Sequence, residues 1–135
     1  MSADSLLLAT LVFGLVGTGV ELSLIGHYED ALQLVPLALI AAALAASAWR
    51  AAAPDSSPAL RVFQALMAAL IVAGAAGAVL HFRGSMEFQL EMDPSLAGFD
   101  LAMKVLQAKS PPTLAPGSMA VLGLVGIAST LRRPS

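Results

Sequence analysis

The sequence predicts an all-α membrane protein, an up-down bundle of four transmembrane helices with one longer outer loop. Three observations lead there. Of the 135 residues, 58% are hydrophobic and only 12% charged, whereas ordinary soluble domains carry about a quarter charged residues. The apolar residues gather in four runs, each of about 18 residues or more, the length needed to cross a hydrocarbon core. The few charges fall between the runs, so the pattern is one of spans and connections rather than of a soluble core. The whole chain, 1–135, reads as a single integral membrane domain.

The first span is expected at 6–26, over the apolar run from Leu6 to Ile25. A cleaved signal peptide needs a basic leading segment, and Met1–Ser5 carries only Asp4, so a retained helix is expected. The second span, 31–50, stops at Arg50. Asp30 with Gln33 three residues later has the spacing of an N-cap and its capping-box partner, which starts the helix at Ala31. That leaves His27, Tyr28 and Glu29 to turn the chain, and forces the first two spans into a tight antiparallel hairpin. Pro36, in the second turn of the second span, predicts some bending there. The third span, 60–82, is bounded by Arg61 at its start and Arg83 just past its end, and the fourth, 114–131, is followed by Arg132 and Arg133.

Small residues recur at helical spacing in the spans. Ala65, Ala69, Ala73 and Gly77 form an i, i+4 stripe on the third; Thr10, Gly14 and Thr18, beside Gly17, share a face of the first; Gly123 and Gly126 lie on the fourth. Such stripes let helix backbones approach closely in lipid, where packing drives association.

The outer segment, 83–113, is the least generic part. Met86, Phe88, Leu90 and Met92 alternate with Glu87, Gln89 and Glu91, a strand-like period of two. Asp93-Pro94 breaks it. From Ser95 to Ala108, the residues Leu96, Phe99, Met103 and Leu106 recur at helical spacing and predict an amphipathic helix lying on the membrane interface. Ser110-Pro111-Pro112 ends that helix. A lone strand at Met86–Met92 must pair with another segment, because its backbone groups need partners.

Lys and Arg set the expected orientation. Arg50, Arg61, Arg132 and Arg133 share one side, which places both termini in the cytoplasm, at the inner membrane, and residues 83–113 outside.

Several functions are excluded or unsupported. The chain has no cysteine, so disulfides, thiolate zinc sites and thiol redox chemistry are ruled out. A net charge of -2 without a basic face gives no reason to expect nucleic acid. Gly14–Gly19 lacks the strand–turn–helix context of a nucleotide loop, and Ser118 is not in a nucleophile elbow, so no catalytic motif is found. Four short spans without an inverted repeat do not suggest transport by one chain.

The candidate site is the outer rim. Spans one and three run in the same direction, which brings His27 and His81 to one end together with Glu21, Glu29, Glu87 and Glu91. Rim and intramembrane ionisable groups are costly to keep and so point to function. The structural alternative is that Glu21 pairs with Arg83, that His27 and Glu29 simply form the turn, and that Glu87 and Glu91 are a wet face. Neutral imidazoles with carboxylates suit a transition metal, zinc, copper or iron, with Met86 and Met92 as soft additions for Cu(I); a haem between the histidines is the narrower version. The expected role is a structural or accessory subunit, or a self-associating protein, whose outer segment meets another membrane protein or a second copy while lipid surrounds the spans. The alternative is a membrane metal-binding or redox module at the rim.

Overall fold

The computed structural model describes residues 3–107 and 114–131. The readings of Ser110-Pro111-Pro112 as a helix terminator and of Arg132 and Arg133 as a basic flank lie outside these residues. The described chain is entirely helical: α1 (Ala3–Leu24), α2 (Ala31–Ala52), α3 (Ser57–Met92), α4 (Gly98–Leu106) and α5 (Leu114–Leu131). Four of them, α1, α2, α3 and α5, are long and apolar enough to cross a membrane.

Those four form a ring in the order α1, α2, α3, α5 and back to α1, each antiparallel to its neighbours, with the α3–α5 interface the most extensive. Buried positions explain the ring. They fall at Leu11, Leu15, Thr18 and Leu22 on α1, at Phe63, Met67, Leu70 and Gly74 on α3, and at Pro116, Met119, Gly123 and Gly126 on α5. This three-four alternation is the spacing of helices packed at a shallow angle along a common seam. Large apolar side chains elsewhere point outward around the perimeter, Phe13, Leu32 and Val72 among them.

The α3–α5 seam is closer than side chains alone permit. A β-carbon built on Gly74 would lie 2.5 Å from the Pro116 carbonyl oxygen and 2.8 Å from the Ala120 nitrogen. One built on Gly123 would lie 2.5 Å from the Met67 carbonyl oxygen. Both obstacles are backbone, which cannot rotate aside. The expected small-residue stripe is therefore corrected: Gly77, Gly123 and Gly126 belong to the seam, but Ala65 is exposed and the closest approach runs through Gly74 instead. Gly17 meets nothing within 4 Å.

Hydroxyls along the helices are satisfied locally. Ser47 donates to the Ala43 carbonyl at 2.7 Å and Ser129 to that of Gly126 at 2.7 Å, and both are buried. No buried side-chain polar atom lacks a partner among the described residues. At the end of the bundle where α2 and α5 meet the start of α3, Arg50 reaches the Ser129 carbonyl at 3.4 Å and stacks over the Phe63 ring at 5.1 Å. Gln64 donates to Thr130 at 3.1 Å beside it. A cation there complements the exposed carbonyls of the last turn of α5 and the face of Phe63.

The strand expectation for Met86–Met92 is overturned. No strand is found among the described residues, and α3 continues without interruption to Met92. Met, Glu, Gln and Leu are good helix formers, and a helix satisfies its own backbone groups, which a lone strand cannot. At 36 residues, α3 is about 54 Å long, well beyond a hydrocarbon thickness of about 30 Å. The apolar alternation of the sequence is compatible with this helix because Phe82, Met86, Gln89 and Asp93 form a half-buried stripe while Glu87 and Glu91 share the exposed side.

Gly74→Val and Gly123→Val are each expected to lower the stability of the detergent-solubilised protein by about 1–3 kcal/mol, the usual cost of overpacking, whereas Gly17→Ala should leave it within about 0.5 kcal/mol. Denaturation in a single detergent checks the contrast.

Candidate functional site at the histidine end of the bundle

Two local devices place His27. The end of α1 is a Schellman motif: the Gly26 N–H donates to the Ser23 carbonyl at 3.2 Å and the His27 N–H to the Leu22 carbonyl at 2.9 Å. Gly26 sits at φ +72°, the left-handed conformation this motif requires. Immediately after it, Asp30 caps α2 by accepting from the Gln33 N–H at 2.9 Å, as the spacing predicts. The reciprocal bond goes to Glu29: its N–H donates to the Gln33 side-chain oxygen at 2.9 Å. His27 is held between these two closures and turned back over Leu22.

His81 reaches the same place from α3, one turn beyond Gly77. The two imidazoles lie 6.0 Å apart between ring centres, with their planes tilted by 36°. They stand over a small cavity of about 40 Å³ at the end of the bundle core, lined also by Leu22, Pro36, Gly77 and Met119. All four long helices or their ends contribute to it. Met119 is 4% exposed, His27 half-buried and His81 exposed, so the cavity runs from an apolar floor to an open mouth. Pro36 contributes a ring and no N–H, so the wall it makes is wholly apolar.

The carboxylates do not join the histidines. Among the described residues no group of three or more His, Cys, Asp or Glu side chains converges as a metal cluster. Glu21 is exposed near the end of α1, and no ion pair with Arg83 forms among the described residues. Glu29 is exposed in the hairpin turn, and Glu87 and Glu91 are exposed on the extension of α3. Of the six candidate residues the fold brings together two, His27 and His81. Met119, which shares their cavity, carries no signal in sequence: its register on α5 follows only once α5 is known to pack against α3.

Beyond the histidines, α4 folds back on the extension of α3. Leu101 and Val105 are buried although α4 packs against no helix other than α3. The expected amphipathic helix is present: Leu101 and Val105 are buried against α3, while Phe99 and Leu106 of the stripe expected on the interface stay open on the protein surface, 77% and 47% exposed. The turn between α3 and α4 is built on Asp93. Its carboxylate accepts from the Ser95 hydroxyl at 2.6 Å and from the Ser95 N–H at 3.1 Å, and its own N–H closes α3 on the Gln89 carbonyl at 2.9 Å. These bonds to Ser95, with Lys104 nearby, hold the Asp93 carboxyl below the usual carboxylate range. Gly98, at φ +54°, then starts α4.

No protein-family model matches the chain, and no characterised protein or solved structure shows significant similarity to it.

Gly26→Ala is expected to cost about 1–2 kcal/mol, the penalty of a left-handed alanine, and to move the histidines apart; the distance between spin labels placed at the neighbouring exposed positions 28 and 80 reports the latter. Because the Asp93 pKa is lowered by folding, its stabilisation is present above the ordinary carboxylate pKa and is lost as pH falls through the lowered value. The protection of the α4 amides, measured against their intrinsic exchange rate at each pH, should therefore fall as the medium is acidified below the carboxylate range, and Asp93→Asn should remove that pH dependence.

Proposed function

We propose that the chain is an integral membrane protein that serves as a small accessory subunit, bound to another membrane protein through its outer α3–α4 segment. The observation that carries the reading is the extension of α3. Residues 83–92 lengthen it by about 15 Å, and α4 is docked along that extension by Leu101 and Val105. Phe88, Met92 and Phe99 remain largely exposed there, at 58, 71 and 77%. Aromatic and methionine side chains are the types enriched where proteins meet one another. The membrane assignment rests on the four long apolar helices and on the apolar perimeter, which is far larger than the exposed patches soluble monomers tolerate.

In this reading both termini are cytoplasmic and the α3–α4 segment lies outside, because Arg50 and Arg61 flank the opposite end. Recognition is the task this reading gives the segment. Lipid covers the remaining perimeter, including the open groove between α1 and α2 beside Gly19 and Ile40.

Native mass spectrometry of particles extracted in mild detergent should show a defined hetero-complex that dissociates in the variant Phe99→Glu. A monodisperse monomer overturns the reading, and a complex containing only copies of this chain replaces the accessory role by self-association. Alkaline phosphatase fused after Gln107 should be active and a fusion after Asp55 inactive; the reverse result inverts the topology.

A further inference from the structure

We infer that His27, His81 and Met119 form a binding site for a soft monovalent metal ion, Cu(I) or its analogue Ag(I). Two imidazoles that share one ion are constrained in separation. A metal–nitrogen bond is about 2.0 Å and a ring nitrogen lies about 1.1 Å from its ring centre, so each ring centre stands about 3.1 Å from the ion. The ring centres are then about 5 Å apart for a tetrahedral angle and about 6.2 Å apart for a linear one. The observed 6.0 Å falls in this range near its open end, as two- or three-coordinate ions require.

The donor set then selects the ion. No carboxylate joins the pair among the described residues, which removes the hard oxygen donors that Mg(II), Mn(II) and Fe(II) use. The third residue of the lining with a sulfur or nitrogen side-chain donor is Met119, whose thioether is a soft ligand that suits Cu(I) and is a poor one for zinc. The cavity, about 40 Å³ and otherwise lined by aliphatic side chains, prolines and Gly77, offers no charged group that a divalent ion would need for neutralisation. A single positive charge between neutral imidazoles at the rim, where His81 is open to the outside, is the least costly cation for such a place.

The ion would tie the α1–α2 hairpin to α3 and α5 without changing its oxidation state, so the inference is of binding and involves no electron transfer. It does not depend on the accessory role or on the topology proposed above. The test uses the full chain in detergent, titrated with Cu(I) held by a chromogenic chelator, with Ag(I) as an air-stable second probe. One equivalent should be withdrawn from the chelator, and the X-ray absorption edge region and fine structure should show nitrogen donors with one sulfur. His27→Gln and His81→Gln should each weaken binding by about 10-fold or more, and Met119→Leu should weaken it and abolish the sulfur shell. Circular dichroism and elution volume of each variant establish that the bundle is intact. Failure of the wild-type chain to compete with the chelator overturns the inference. So does binding retained in both histidine variants, which places the ion on other methionines, or a sulfur shell that survives Met119→Leu.

Discussion

The bundle depends on how closely α3 and α5 approach. At Gly74 and Gly123 the backbones come within the distance a β-carbon would occupy, and that contact fixes the register of the two helices. Register in turn decides what each end of the bundle presents. With Gly123 against Met67, Met119 lies four residues further toward the histidine end, and Ser129 and Thr130 lie at the opposite end within reach of Arg50 and Gln64. A shift by one residue would turn α5 by about 100° and remove both sets of contacts. In lipid, where apolar side chains gain little from leaving their surroundings, such close packing is the main source of specificity.

The two ends are built on different physics. At the Arg50 end, a guanidinium meets a helix carbonyl and an aromatic face, so its contacts come from the protein itself. At the histidine end, two imidazoles lie beside each other over an apolar cavity, and no carboxylate among the described residues joins them. Arg50 has a structural explanation in the contacts it makes; the histidines do not have one of that kind. Their pairing is the feature of the molecule that packing alone leaves unexplained.

Much of this was legible in the sequence. The four long helices follow from the apolar runs, the hairpin from Asp30 and Gln33, and the meeting of His27 with His81 from the common direction of spans one and three. Three things were not legible, each for a reason. Met86–Met92 has a period of two, and on the helix its apolar residues divide between two sides, Met86 and Leu90 half-buried and Phe88 and Met92 exposed; a helix satisfies its own backbone where a lone strand cannot. The docking of α4 was not legible because Leu101 and Val105 form a second apolar face, which has a partner only once α3 extends to Met92. Met119 could not be joined to the histidines because the register of α5 against α3 rests on glycines whose role is invisible until the seam is formed.

The continuity of α3 has a mechanical consequence. No proline interrupts it after its first turn, so Phe63 beneath Arg50, Gly74 in the seam, His81 at the cavity and Met92 at the tip belong to one stiff rod. Gly74 lies near the middle of α3, so a tilt of about 10° about it moves each end by about 5 Å, in opposite directions. Whatever alters the angle of α3 at one face of the bundle is therefore felt, reversed, at the other, and the chain is built less like a plug than like a balance beam pivoting on its glycine.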